Sequence, residues 1–482
     1  METKNSLFKN TIYKSLLSMV NIVVPLIIGP YIMRLLDTEL YGIYNKVYAD
    51  YQIFLVFASF GIYTLGVREI SKIRNDEKTV SKLFTNLFFI SFLSNIAVLI
   101  IYIIFSFNTS SGITRLLYLI MAIQIVANIF YVEFVNEAIE NYRFIAIKSV
   151  IVKIIYFIAV ILWVRKPQDV VAYALIVSLV NFINNITSFI YAKKRIKFDF
   201  SEIKIKKYIK PLIAVLVISN ADLLYSQLDK VMLGNYVSNI SVTEYYIAYY
   251  LISTLYAIPF SVINVSVPRL SYLLENEGKK AYEKQLNKSI SSLLFITLPM
   301  CFGVFVLAYE AVKIYSGDKY PGLEIPLMIA CMGRIILAFQ SVVEHLVLYP
   351  NNKEKRILII SFTGGICNLI INYLLVLAGL FNPSTALIST SIIELLICIM
   401  HYIYAKKKLN INVSIFNKYN CLYLFLSILF IPISLFIRSF NLGFYMNMGL
   451  IIIVCVFMYY SVLFIKKDEN LDLILRKLKL RR

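Results

Sequence analysis

At 482 residues, 59% hydrophobic and only 16% charged, with mean hydropathy +0.74, the chain has too little polar surface for a water-soluble protein, since soluble domains hold roughly a quarter charged residues. Continuous apolar runs such as "LFFISFLSNIAVLIIYIIF" exclude the β-barrel alternative, whose strands alternate over roughly 10 residues. The net charge of +20 would suit a nucleic-acid partner, but the placement of the basic residues gives that charge a different role.

A helix needs about 20 apolar residues to cross the hydrocarbon core. The sequence offers about fourteen such spans, at 11–34, 42–65, 83–106, 114–135, 145–164, 170–192, 211–234, 243–266, 289–312, 323–346, 357–380, 384–405, 421–438 and 444–465. The expected fold class is therefore an all-α polytopic membrane protein. The first run, "LLSMVNIVVPLIIGPYIM", is followed by no small-residue cleavage signal and reads as a retained helix. The last two spans are parted only by the short break "RSFNLG".

Of the 48 Lys and Arg, 37 fall on one side of these spans and 7 on the other, and Lys46, Lys153, Lys230 and Arg334 lie inside them. The positive-inside rule then places both termini in the cytoplasm. Basic charge here orients the chain and meets lipid headgroups, so a nucleic-acid partner is not needed. The tail "LDLILRKLKLRR" alternates apolar and basic residues at helical spacing and suits the inner leaflet surface.

The longest cytoplasmic loop, "KKRIKFDFSEIKIKKYIK", follows the sixth span and marks a seam between two pseudo-symmetric halves. The expected organisation is an N-terminal six-helix lobe over 1–192, a basic linker over 193–210, a C-terminal six-helix lobe over 211–405, two further spans over 406–465 and a basic amphipathic tail over 466–482. Weak internal similarity supports the seam. "MRLLDTELYGIYNKVYADYQ" and "DKVMLGNYVSNISVTEYYIAYYLI" each carry a basic residue, a short polar turn and a Tyr-rich helix entry. Paired repeats of this kind are a common basis for alternating access.

Charge at mid-bilayer costs at least roughly 2.5–3.5 kcal/mol per residue, so such groups face a bundle interior or a wet cavity. Asp222, Ser226 and Asp229 form one stripe, with Lys230 one position round. Lys46 and Asp50 stand one helical turn apart and are expected to pair. Arg334, Ser341 and His345 share a face, as do Ser391, Glu394, Cys398 and His401. Amide stripes add Gln124, Asn128 and Tyr131, then Asn181, Asn185 and Ser188, then Asn368 and Asn372. Each amide stripe reads either as interhelical glue or as cavity lining. Lys46 and Lys230 sit near span ends and read either as cavity groups or as snorkelling side chains.

The six cysteines all fall in apolar runs without a CxxC pair and read as small buried hydrophobes. There is no P-loop, no HExxH and no Gly-rich nucleotide loop. No cofactor and no metal site is expected, and a secondary transporter or passive translocase is the simplest inference. Polymerases, ligases and acyltransferases are disfavoured. The external loops are short, and the two His have no acid partner on a common loop.

Two stretches carry a family likeness. "GPYIMRLLDTELYGIYNKVYADYQIFLVFASFGIYTLGVREI" over 29–70 has a short turn with "YGIY", then a helix ending in Gly and a basic residue. "LDKVMLGNY", followed by "TEYYIAYYLI", runs from an Asp-containing helix through Leu-Gly to a Tyr-rich entry. These resemble the polysaccharide-exporter, Wzx-like branch of the multidrug/oligosaccharidyl-lipid/polysaccharide (MOP, MATE-like) superfamily. The resemblance implies a MATE-like fold of two lobes around a central cavity. It also implies a flippase that moves undecaprenyl-pyrophosphate-linked oligosaccharide repeat units to the outer leaflet for capsular polysaccharide, exopolysaccharide or O-antigen.

For that cargo, Arg34, Lys46, Lys153, Lys230 and Arg334 are the candidate cations for the pyrophosphate. Asn128, Asn181, Asn368 and Tyr249, within a cluster of Tyr245, Tyr246 and Tyr250, are the candidates for sugar contacts. Asp50, Asp222 and Asp229 would balance charge or carry a coupling H⁺ or Na⁺. The expected setting is the bacterial cytoplasmic membrane, as a monomer among membrane lipids, beside a polysaccharide polymerase and chain-length machinery. A lipid II or teichuronic-acid exporter and a MATE-type multidrug antiporter are the alternatives. The prominence of basic intramembrane groups leans against a cationic drug.

Overall fold

The computed structural model describes residues 19–20, 23–415 and 417–477, with side chains for these except at positions 214, 217–226, 474 and 477. Among the described residues all regular structure is helical. Among the described residues twelve helices are long and apolar enough to cross a membrane, and they coincide with twelve of the fourteen expected spans. Of the other two, the first is described only as the shorter apolar helix α1 (Val23–Leu35), and the seventh falls on α9 (Ile205–Tyr236). The chain is a multi-pass membrane protein.

The chain divides into two compact units between Thr243 and Glu244. The first holds α1, α2 (Thr38–Ser59), α3 (Ile62–Ile73), α4 (Glu77–Thr109), α5 (Gly112–Ile129), α6 (Glu133–Ala138), α7 (Tyr142–Trp163), α8 (Val170–Lys193) and α9. Their boundaries follow local chemistry. Asp37 caps α2 by accepting from the amides of Glu39 and Leu40, both at 3.0 Å, and Asp76 caps α4 through Thr79 N at 3.1 Å. Between α2 and α3 the chain bends at Phe60 and Gly61, both in the left-handed region (φ 48° and 70°). The Ala58 carbonyl at this bend accepts from Ser94 Oγ at 2.8 Å and Asn95 Nδ2 at 3.1 Å, both on α4. In α7, Ile151, Ile154, Ile155, Ile158 and Leu162 lie exposed at helical spacing, an outward apolar stripe suited to lipid.

α9 packs along α2, and this contact carries it into the first unit, past the basic stretch 193–210 where the sequence places the seam. The approach is close at two glycines. A Cβ on Gly42 would stand 2.5 Å from the Asn239 backbone, and one on Gly234 would stand 2.9 Å from Cγ and Cδ of Lys46. Asn45 Nδ2 donates to Thr243 Oγ1 at 2.9 Å beside them. Within this unit, residues 42–46 of the first likeness stretch therefore pack against residues 234–243, which hold the end of "LDKVMLGNY". Gly42→Ala is expected to lower stability by about 1–3 kcal/mol, since backbone must shift to admit the methyl. A thermal unfolding scan in detergent micelles reads this, with Gly112→Ser, whose Cβ meets open space but whose φ of 54° is strained, as a comparison of backbone strain alone.

The second unit holds α10 (Asn239–Asn276) from Glu244 onward, α11 (Lys279–Val306), α12 (Ala308–Ser316), α13 (Glu324–Ser341), α14 (Glu354–Leu377), α15 (Pro383–Lys408), α16 (Lys418–Ile428), α17 (Phe430–Arg438), α18 (Phe444–Ile465) and α19 (Glu469–Lys477). α13 runs on through a π-helical stretch, Val342–Leu348. Its core joins Tyr282, Leu286, Leu293, Phe295, Val342 and Tyr459. α19 is the described part of the amphipathic tail. Its first turn is capped by Asp468, which accepts from Asn470 N and Leu471 N and also from the Tyr423 hydroxyl. Cys301, Cys331, Cys398 and Cys455 are buried as expected, but Cys367 and Cys421 are exposed, so the reading of all six as core residues is corrected for these two.

Candidate functional site

The membrane-embedded polar groups fall into separate sets within each unit. In the first unit the strongest is a closed triangle of Glu133, Lys148 and Ser188. Lys148 Nζ donates to both Glu133 oxygens, at 3.1 and 3.0 Å, and to Ser188 Oγ at 2.6 Å, while the Ser188 hydroxyl donates to Glu133. Both charged residues are less than 10% exposed. The charge count places Lys148 in a cytoplasmic loop, and the structure corrects this: it lies inside α7 as half of a buried ion pair. A sequence signal existed. Glu133 ends an apolar run and Ser188 belongs to the amide stripe of α8, but the uncertain start of the fifth span hid the match.

Asp50 is buried on α2 and accepts from the Tyr118 hydroxyl of α5 at 2.5 Å. Tyr118 is thus its hydrogen-bond partner, while the expected Lys46 acts on it through charge rather than as a hydrogen-bonded ion pair. The Lys46 side chain instead runs along α9 at Gly234, on the face that Lys230 shares one turn earlier. Asp229 and Lys230 are both buried, at 0% and 8% exposure, which sets them apart from a lipid-facing position. Asp222 lies among the residues whose side chains fall outside the described set. Arg34 is exposed and Lys153 is half-buried on α7.

The amides of this unit bond to one another and to backbone carbonyls of neighbouring helices. Asn128 Nδ2 donates to Asn95 Oδ1 at 3.0 Å, Asn181 Nδ2 to Gln124 Oε1 at 3.0 Å, and Asn185 Nδ2 to the Ala127 carbonyl at 3.1 Å. These bonds tie α4, α5 and α8 together. Asn128 also helps line a cavity of about 280 Å³ with Ser59, Tyr63, Thr64, Ser91 and Tyr131.

In the second unit the set centres on Arg334 of α13, only 6% exposed. Its guanidinium lies 4.9 Å from the Tyr249 ring centroid and 5.3 Å from that of Tyr256, and its Nη2 donates to Ser253 Oγ. Tyr249, Ser253 and Tyr256 fall on successive turns of α10, so one helix face supplies the whole cradle. Among the described residues, the buried Arg334 Nε has no acceptor. The same small cleft is lined by Thr390, Ser391 and Glu394 of α15. Asn368 reaches it indirectly, donating to Thr390 Oγ1 at 3.1 Å, and Asn372 donates to Asn368 in turn at 3.1 Å. A planar cation held face-on by phenol rings, with one N–H still unspent, can receive an anionic or hydroxyl-rich group. Further along α15, His401 is fully buried with Nε2 3.3 Å from Glu344 Oε1 in the π-helical stretch. His345 stands edge-on to Phe260 at 5.8 Å.

Of the expected residues, Arg334, Tyr249 and Asn368 therefore converge in one unit, while in the other Lys46 lies on the α2–α9 packing and Asp229 and Lys230 are buried on α9.

Known proteins place this geometry in context. A curated protein of Escherichia coli (strain K12), named "Putative O-antigen transporter", is 21% identical over 376 residues, covering 76% of this chain and 89% of its own length. Among solved structures, the lipid II flippase MurJ in an inward closed conformation superposes with a TM-score of 0.67 at 16% identity, over 98% of this chain and 100% of its own. An inward-facing multidrug resistance MATE family transporter of the MOP superfamily gives 0.60 at 11% identity, over 82% and 98%. The fold is thus the one shared by MurJ and the MATE transporters, as the resemblance implied. A family model described as "Polysaccharide biosynthesis protein" matches residues 7–274, more than half of the sequence, and the chain belongs to that family.

Proposed function

We propose that the protein is a flippase that carries undecaprenyl-pyrophosphate-linked oligosaccharide repeat units across the bacterial cytoplasmic membrane for capsular polysaccharide, exopolysaccharide or O-antigen assembly. Family membership and the fold support transport of this class. The observation that carries the reading further is Arg334: a cation buried in a membrane unit, seated on two tyrosine rings, with one donor unspent. Burial of that kind is costly and persists where a neighbouring group or a ligand answers the charge; Glu394 across the cleft answers part of it, and a ligand's phosphate would answer the rest. Pyrophosphate oxygens satisfy an arginine fork, and sugar hydroxyls satisfy tyrosine, threonine and asparagine. Lys46 and Lys230 are further cations for the phosphates, and Asp50, Asp222 and Asp229 balance them or carry the coupling H⁺ or Na⁺. The polyprenyl tail stays in lipid throughout, and alternating access moves only the headgroup. Both termini are cytoplasmic on this reading, and the last two spans are an addition to two six-helix lobes.

Depleting the protein in its host tests the reading. Surface polymer is expected to fall and lipid-linked repeat units to accumulate in the membrane. Unchanged polymer and unchanged precursor would defeat it. Accumulation of lipid II instead would select the lipid II alternative, and altered drug tolerance with normal polymer would select the multidrug antiporter.

A further inference from the structure

A second cavity in the first unit lies apart from all the groups above. It has a volume of about 680 Å³ and opens where the basic loops after α3 and α8 meet, on the side that the charge distribution assigns to the cytoplasm. Its apolar floor includes Leu65, Ile73, Leu83 and Pro211, and its rim carries Arg68, Lys78, Lys82, Lys204 and Lys207.

The wall is built rather than incidental. The loop that brings Glu202 and Lys204 is stitched to α4. Asn86 Nδ2 donates to the Glu202 carbonyl at 2.9 Å, Asn86 Oδ1 accepts from Lys204 N at 2.6 Å, and Thr85 Oγ1 accepts from Asp199 N at 2.8 Å. Both tethering side chains are buried.

The three carboxylates on the rim are already committed. Glu202 is shared by Lys82, at 3.2 Å, and Lys204, and these cations hold its carboxyl below the usual range. Glu69 is shared by Arg68 at 2.9 Å and Lys72 at 3.0 Å. Asp76 is spent on the α4 cap. Among the described residues Lys78 and Lys207 enter no ion pair, and the rim carries five cations against three anions. A rigid cleft with surplus positive charge above an apolar floor, beside the membrane surface, matches a phosphate headgroup with the start of its lipid.

We infer that this cleft is a binding site for a phosphate-bearing headgroup of an inner-leaflet lipid, with Lys78 and Lys207, the rim cations outside the described ion pairs, as its phosphate ligands. The inference stands apart from the flippase reading, because neither lysine belongs to the groups assigned to cargo.

The test is direct binding to the purified full chain in detergent micelles. The probes are short-chain phosphatidic acid, phosphatidylcholine of the same chain length, and inorganic pyrophosphate. Phosphatidic acid is expected to bind at least tenfold more tightly than phosphatidylcholine, and the double variant Lys78→Gln/Lys207→Gln to lose at least tenfold in that affinity. A second variant, Lys194→Gln/Lys197→Gln, removes two basic residues that do not line the cleft and should leave affinity unchanged. Displacement of the lipid by pyrophosphate would show that the phosphate groups carry recognition, and pyrophosphate binding without any lipid binding would overturn the lipid assignment. Equal affinity in wild type and the cleft variant, both with intact thermal unfolding, would overturn the site.

Discussion

Arg334→Ala is expected to cut surface-polysaccharide export by at least tenfold at equal protein level in the membrane. A hydrogen bond from a charged group contributes about 1.5–3 kcal/mol, and a tenfold rate change needs about 1.4 kcal/mol. One lost pyrophosphate contact therefore suffices. Arg334→Lys should recover only part of the activity. An ammonium keeps the charge but loses the planar face that lies against Tyr249 and Tyr256. Ser253→Ala should cost less, since it removes an orienting acceptor and leaves the cation in place. Export assayed together with the unfolding temperature of each purified variant separates a cargo role from a structural one. Full export by Arg334→Ala, with normal folding, would remove this residue from the cargo path.

Lys148→Met is expected to be the most destabilising single change in the first unit. Removing one member of a buried ion pair leaves the other charge without compensation, at a cost of roughly 3–5 kcal/mol. Here the orphan would be Glu133, left with only the Ser188 hydroxyl among its described partners. The double variant Lys148→Met/Glu133→Gln should recover most of that loss, because the two buried charges leave together. Thermal or denaturant unfolding of the full chain in detergent reads both. Equal loss in the single and double variants would mean that packing, rather than electrostatics, fixes α7 to α6.

The unequal legibility of these groups has a physical cause. Spans are readable because each long helix carries one continuous apolar window, and among the described residues twelve lie where hydropathy places them. Arg334 was readable as well, since a lone cation near mid-span has few alternatives. Lys148 was not, because it stands a few residues inside a helix start, where loop and membrane compositions merge. The Asp50 partner was illegible for another reason. Tyr118 lies 68 positions away on another helix, and a turn-spaced lysine looked the nearer choice. The amide stripes kept two readings until the structure showed Asn128, Asn181 and Asn368 each bonded to a polar group on a neighbouring helix. Side-chain periodicity names the face of a helix but not what stands opposite it.

The bend at Phe60–Gly61 shows what such cross-helix bonds permit. Hydrocarbon supplies no water to a carbonyl released by a broken helix, so an interruption there is tolerated only where protein replaces the missing partner. Ser94 and Asn95 do so at Ala58. The segments before and after the break can therefore take different inclinations without stranding the Ala58 carbonyl in oil. A transmembrane rod lacking such a joint could change its inclination only as a whole.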